Sequence, residues 1–269
     1  MMNWTADFPI LAADENGNRL VYLDSAATPQ HPMQVLNAVV DYYTKEHAHP
    51  PRGVSALAMR APAATERARH TVAPLFTGEN GRLTTEELDK KITPKTKVVA
   101  VAMVSNELGL RAPVEEIVKR AHAVGAVVVL DCAQSAPHTP VDVKKLDVDF
   151  AACSAHKLYA PMGVGALYAR AGLLEKMPPF MSGGDMIGAV HESGATWADG
   201  PRKFEAGTRN VGGEVGFAAA IDYMKGIGWE AMETHEHALL DRMLAGMRAM
   251  PWLTVYGEPV AEGRYGVVS

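Results

Sequence analysis

The chain has 269 residues, 48% apolar and 21% charged, a balance that suits an ordinary globular protein with one large domain and room for a smaller appendage. Its formal charge of −5 and pI near 6.1 argue against nucleic acid or an anionic membrane as the main partner. No apolar run reaches membrane-spanning length, the opening residues carry no secretory pattern, and Cys132 and Cys153 make neither a disulfide framework nor a zinc motif; the expectation is a metal-free cytoplasmic protein.

Residues 1–17 close on the turn-like Asp14-Glu15-Asn16-Gly17. Leu20-Val21-Tyr22-Leu23 reads as a short strand that stops at Asp24-Ser25-Ala26-Ala27-Thr28-Pro29. Val35, Val39, Tyr42 and Tyr43 share one side of a helix predicted over 35–43. Pro50-Pro51-Arg52-Gly53 then breaks the chain, and helical spacing resumes over 61–76. Thr84 is a candidate N-cap, with Glu87 three residues on. A buried-type strand over 98–104 runs into Ser105-Asn106-Glu107-Leu108-Gly109. A helix over 114–122 follows, and then strands over 126–130, 150–153 and 164–168.

Strands alternating with helices predict a mostly parallel sheet covered on both faces. Ligands of such sheets bind at the carboxyl ends of the strands, where Asn106, Asp131 and the Ser154-Ala155-His156-Lys157 run all fall. Over 186–201 no period appears, which reads as a long functional loop. Residues 212–224 form a helix rich in Ala and Gly. Residues 229–250 form a longer one, with Met232, His235, Leu239, Leu240, Met243 and Met247 along one side. A strand is expected over 253–256, and another begins at 265–268.

The chemistry concentrates at two strand ends. Val127-Val128-Val129-Leu130 runs into Asp131, and the strand at 150–153 runs into Ser154-Ala155-His156-Lys157. An apolar strand ending in a carboxylate, followed by a second strand ending in Ser-x-His-Lys, is what pyridoxal phosphate needs. The lysine amine forms a Schiff base with the aldehyde, and the carboxylate keeps the ring nitrogen protonated. Once released, the Lys157 amine is the natural general base for a substrate's α-proton.

Each of these residues also has an ordinary structural reading. Lys157 could be a solvated lysine, Asp131 a cap after its strand, and Asn106 and Gln134 polar loop residues. Ser154 and His156 offer a hydroxyl and an imidazole to a phosphate or to the lysine, and His156 serves equally as a packing histidine. Lys203-Phe204-Glu205-Ala206-Gly207-Thr208-Arg209-Asn210 reads as a capping loop with Thr208 or Asn210 as the cap.

Several segments together carry a resemblance: Tyr22-Leu23-Asp24-Ser25-Ala26-Ala27-Thr28, Arg52-Gly53-Val54, Val104-Ser105-Asn106-Glu107-Leu108-Gly109, Asp131-Cys132-Ala133-Gln134-Ser135-Ala136-Pro137-His138, Ser154-Ala155-His156-Lys157, Gly183-Gly184-Asp185-Met186 and Phe204-Glu205-Ala206-Gly207-Thr208. In order across nearly the whole chain, they resemble the class V aminotransferase family and, within it, the SUF-type cysteine desulfurases, also called selenocysteine lyases. The resemblance implies an α/β fold of the pyridoxal-phosphate transferase type I. Its large cofactor domain spans 18–225, and an incomplete small α+β domain is made of 1–17 and 226–269. It implies a homodimer that takes sulfur from L-cysteine (or selenium from L-selenocysteine), leaves alanine, and passes the sulfur to an acceptor protein for iron–sulfur cluster assembly. It further implies that Thr208 reaches the phosphate of the neighbouring subunit's pyridoxal 5'-phosphate, that Gln134 touches the ring oxygen, and that Ala26 and Ala27 line the substrate pocket.

The pattern departs from the family at two places. After Phe76-Thr77 the family continues through a Thr-rich phosphate turn, a helix, a strand and a histidine that stacks on the cofactor; here Thr77 passes directly to Gly78-Glu79-Asn80-Gly81. The family's sulfur-accepting cysteine and carboxylate-binding arginine fall beyond Ser269. Neither Cys132 nor Cys153 suits the accepting role, which needs a mobile, accessible thiol of lowered pKa. The expectation is a desulfurase sequence whose literal chain is impaired, binds cofactor more weakly, and tends to aggregate through exposed sheet edges. Another class V lyase or epimerase, and a non-catalytic homologue, are the alternatives.

Overall fold

The computed structural model describes residues 4–13, 17, 20–23, 25, 28–41, 44, 83–253, 255–256 and 262–268. The Pro50–Gly53 break, the helix expected over 61–76 and the Arg52-Gly53-Val54 segment lie outside them, as do Ala26 and Ala27. Helix α1 (Met33–Asp41) turns Val35 into the core; Tyr42 and Tyr43 lie outside the described residues. Helix α2 (Thr85–Lys91) starts where Thr84 Oγ1 accepts the Glu87 N–H at 3.2 Å. Glu86 and Glu87 in its first turn and Lys90 and Lys91 in its last complement the helix dipole.

A βαβ unit follows. Strand β1 (Val98–Ala102) leads through α3 (Val114–Ala123) to β2 (Val127–Asp131), and then come β3 (Phe150–Ser154) and β4 (Gly165–Ala169). Their spatial order is β1-β2-β3-β4, with β1, β2 and β3 parallel and β4 antiparallel to β3. Val99, Val101, Val128, Leu130 and Ala151 are buried in one core with Leu88 of α2 and with Val114, Ile117, Val118 and Ala121 of α3. Burial of each large side chain is worth about 1.5–3 kcal/mol, so the alternation on the strands and the 3–4 spacing on α3 fix which face of the sheet meets the helices. The mostly parallel sheet flanked by helices is the expected architecture.

A second apolar cluster joins α1 to α5 (Val211–Ile227) through Val35, Ala155, Ala160, Ala220 and Phe217. Gly216 is required there, because a Cβ at that position would lie 2.7 Å from Pro161 and from Val39. Asn210, not Thr208, is the cap of α5: its Oδ1 accepts the Gly213 N–H at 3.0 Å. Helix α6 (Trp229–Arg248) buries Leu240 and Leu244 against Val255 and Val268. The first described residues join these helices. Tyr223 donates to Asp7 at 2.6 Å, Phe8 packs on Tyr159 and Tyr223, and Trp4 meets the His235 ring edge-on.

Four expectations fail. Residues 20–23 form no strand, and Tyr22 instead donates to the Thr28 carbonyl at 2.7 Å. Residues 186–201 are not an irregular loop: β5 (Ile187–His191) and β6 (Gly194–Trp197) make an antiparallel hairpin closed at Glu192-Ser193. Both strands are exposed throughout, so no buried face imposes the alternation that marks a strand in sequence. The strands expected at 253–256 and 265–268 are likewise not formed among the described residues, where Arg264 makes a single bridge to Leu110. Short α4 (Ala171–Lys176) completes the elements; no helix among the described residues is long and apolar enough to cross a membrane.

Candidate active site

The sheet register assembles the site. Asp131 closes β2 opposite Ala152 of β3 and Ala102 of β1. Since laterally paired residues share a face, and residues two apart on a strand do so too, Asp131 and Ser154 point to the same side of the sheet. Leu130 and Ala151, one position back, occupy the other side, against α3. Beyond Ser154 the chain tightens into a 3-10 turn, Ala155–Lys157, which brings His156 and Lys157 onto the carboxyl edge of the sheet.

That turn is held firmly. The Ala155 N–H donates to Val164 O at 3.1 Å, and the Leu158 and Ala160 N–H groups both donate to Ala155 O. Tyr159 takes a left-handed φ of 61°, an uncommon conformation for an aromatic residue; packing against Phe8 and Tyr223 holds it there. His31 Nδ1 lies 3.0 Å from Tyr159 O. The His156 ring contacts Thr28 Oγ1 at 3.3 Å, and the Thr28 hydroxyl also lies 3.4 Å from His156 O. Thr28, the last residue of the Asp24–Thr28 sequence motif, therefore meets the lysine turn. Sequence reading gave Thr28 no role, although its place at the end of that motif was a usable signal.

After β2 the chain turns at once. Asp131 Oδ1 accepts the Ala133 N–H at 2.9 Å, and the Cys132 N–H donates to Ala152 O at 2.7 Å, locking the turn to β3. Asp131 is thus a local cap whose carboxylate lies on the site face. Gln134 is buried in this turn. Asn106 is exposed on the turn after β1, where Ser105 Oγ accepts the N–H groups of Glu107 and Leu108 at 3.2 and 3.1 Å.

The fold accordingly brings Asn106, Asp131, Gln134, Ser154, His156 and Lys157 to the carboxyl ends of three adjacent strands. Thr208 stands on a separate exposed segment leading into α5, joined to the lysine loop where Asn210 Nδ2 approaches Gly163 O at 3.4 Å. This donor set (an amine, a carboxylate on the same side of the sheet, and hydroxyl and imidazole groups at a turn) fits pyridoxal phosphate. Among the described residues, no three His, Cys, Asp or Glu side chains converge to hold a metal.

Neither thiol is set up for reaction. Burial pushes Cys132 up to about 11, only partly offset by the Ser135 hydrogen bond, and burial raises Cys153 too. At neutral pH a thiol with a pKa of about 11 is ionised to roughly one part in ten thousand. We therefore expect native protein at pH 7 to resist iodoacetamide, while urea-unfolded protein labels readily at both cysteines. Rapid native labelling of either, read by peptide mass spectrometry, would contradict this.

A model of the aminotransferase class-V family matches residues 21–80 and 76–269. The chain belongs to the class-V aminotransferase family. A probable cysteine desulfurase of Streptomyces coelicolor is 38% identical, over 98% of this chain and 80% of its own length. The solved cysteine desulfurase of Thermococcus onnurineus, in its apo form, superposes with a TM-score of 0.78 at 32% identity, covering 93% of this chain and 78% of that one. The cysteine desulfurase CsdA of Escherichia coli, in an S-sulfonic acid form, gives a TM-score of 0.76 at 28% identity, covering 97% and 82%. The chain is thus a class-V enzyme with the fold of the cysteine desulfurases, and enzymes of this family work with pyridoxal phosphate. The alignment to the Streptomyces relative runs over 333 residues, against the 269 present here. Several dozen positions of the relative therefore face no residue of this chain, and the family match itself is split at 76–80, where the sequence passes from Thr77 to Gly78.

Proposed function

We propose that this chain is a pyridoxal-phosphate cysteine desulfurase sequence, with the cofactor held at the carboxyl edge of β1, β2 and β3. The observation that carries the reading is the juxtaposition of Asp131 and the Ser154–Lys157 turn on neighbouring parallel strands. The cofactor, when bound, supplies an electron sink that weakens the bonds at the substrate's α-carbon.

The rest is the work of protein groups. Lys157 Nζ would hold the cofactor covalently, and its free amine would take and return the substrate's α-proton. Asp131, already fixed by the Ala133 N–H, would hold the ring nitrogen and keep it protonated. Gln134 would donate to the ring oxygen. Asn106 takes part in cofactor binding, Ser154 and His156 contribute to the phosphate cradle, and Thr28 orients the His156 ring. The family resemblance assigns Ala26 and Ala27 to the substrate pocket. In the net reaction the C–S bond of L-cysteine breaks, alanine leaves, and the sulfur passes to a thiol as a persulfide. The buried Cys132 and the raised pKa of Cys153 support an acceptor other than these two.

Several finer readings rest on family resemblance. These are a homodimer in which Thr208 serves the neighbouring subunit's cofactor, a cofactor domain over 18–225 with the remainder in a small domain, a role in iron–sulfur cluster assembly with delivery to an acceptor protein, a cytoplasmic location, and L-selenocysteine as an alternative substrate. The exposed position of Thr208 supports the first. The positions unmatched near Thr77 support weaker cofactor binding and lower activity than in the full-length relatives.

The test is a titration of the purified chain with pyridoxal phosphate, followed by borohydride reduction and peptide mapping. We expect a visible absorbance band, cofactor mass on the Lys157 peptide, and a change in the band on adding L-cysteine. Attachment at another lysine, or no band at millimolar cofactor, defeats the assignment.

A further inference from the structure

Glu236, on α6, places its two carboxylate oxygens on two different loops. Oε2 lies 2.7 Å from His138 Nδ1, at the end of the turn that carries Asp131 and Gln134. Oε1 accepts the Gly266 N–H at 2.7 Å. The segment around Gly266 is in turn tied to the Asn106 turn. The Tyr265 N–H donates to Gly109 O at 2.8 Å, the Arg111 N–H donates to Gly263 O at 2.9 Å, and Leu110 bridges Arg264. The fit is tight, since a Cβ on Gly109, whose φ is +67°, would lie 2.4 Å from Val267 O. Tyr265 completes the circuit by stacking on His138, with ring centroids 5.3 Å apart and 29° between the planes.

We propose that Glu236 is a positioning residue for the cofactor site: through His138 it fixes the turn bearing Asp131 and Gln134, and through Gly266 it fixes the segment that braces the turn bearing Asn106. The inference rests on the pyridoxal-phosphate reading above. Loops at strand ends are the readiest parts of such a fold to open, and small displacements of groups facing a reacting centre are costly. One anchor shared by both turns limits their movement relative to each other. Burial by itself would raise the Glu236 carboxyl, yet the His138 hydrogen bond and charge, the Gly266 N–H and the nearby His237 outweigh it and hold the group below the ordinary carboxylate range. The anchor is therefore an anion at neutral pH.

The test compares wild type, Glu236→Ala, Glu236→Gln and Leu88→Ala. Leu88 is buried on α2 in the main core, so its variant reports what loss of stability alone does. Pyridoxal-phosphate affinity, read by absorbance titration, should weaken roughly tenfold in Glu236→Ala, the equivalent of one well-made buried hydrogen bond. Glu236→Gln should restore most of it, because its amide can accept from Gly266 and donate to His138. Without cofactor, amide hydrogen exchange over 104–110 and 131–138 should accelerate selectively in Glu236→Ala, whereas Leu88→Ala, which loosens the shared main core, should accelerate exchange across all of β1, β2 and α3 alike. Wild-type affinity in Glu236→Ala, or an equal loss in Leu88→Ala, overturns the positioning role. A wild-type protein that binds no cofactor sinks the cofactor reading itself, and the positioning role with it, whatever the exchange data show.

Discussion

Lys157→Ala should lower alanine formation from L-cysteine by at least about a thousandfold, the upper part of the range for losing a positioned general base, and should abolish borohydride-stable cofactor attachment. The reason lies in the turn that carries the residue. Ala155–Lys157 is pinned by Val164 and by two N–H groups that share Ala155 O, which fixes Lys157 at the carboxyl edge of the sheet. Lys157→Arg is the informative companion. It keeps the positive charge and much of the volume, yet a guanidinium with its high pKa can neither link to the aldehyde nor carry a proton at neutral pH. Both variants should keep the wild-type melting temperature to within a few degrees, since Lys157 is only half-buried and lies outside the apolar core. Turnover by either variant at near wild-type rate would remove Lys157 from the chemistry.

Asp149→Ala should give the largest loss of stability, about 3–5 kcal/mol, as expected when one partner of a buried charged network is removed. Its buried carboxylate accepts the Val128 N–H at 2.8 Å and contacts His122 Nε2 at 2.9 Å and Arg170 Nε at 3.1 Å. It thereby joins the starts of β2 and β3 to α3 and to the end of β4. For a chain of this size, about 2–4 °C of melting temperature accompanies each kcal/mol, so a fall of roughly 10 °C is expected by differential scanning calorimetry. Asp147→Ala is the contrast. Asp147 is exposed and meets the same Arg170 at 2.9 Å, and its loss should shift the melt by a degree or two. A melt for Asp149→Ala within 2 °C of wild type would refute the network's structural weight.

The pH dependence has a definite sign. The Arg170 hydrogen bond is the main cause that holds the Asp147 carboxyl below its ordinary value. A lowered carboxyl stabilises the folded state above its unfolded pKa and loses that contribution as pH falls through the folded one. The ion pair should therefore be intact across neutral pH and weaken only in acid.

The residues proposed for the site stood out in the sequence because each strand end carries its polar residues within a short local pattern. The apolar run into Asp131, the Ser154–Lys157 motif and the Thr84 cap each depend on residues within a few positions of one another. The β5–β6 hairpin was not legible, because its strands are exposed on both sides and carry no binary pattern. The pairing of Asp149 with Arg170, twenty-one positions apart, was equally hidden.

What the residue order determined was the periodicity of β1, β2, β3 and α3, and the chemical types at the strand ends, since backbone geometry and burial of alternate side chains act over a few residues. Which side chains meet was decided by the tertiary structure. Glu236 finds His138 across 98 positions, and Thr28 finds His156 across 128. Those contacts exist because parallel strands bring their carboxyl ends to one edge of the sheet, where chain segments remote in sequence must pack to bury their polar groups in pairs.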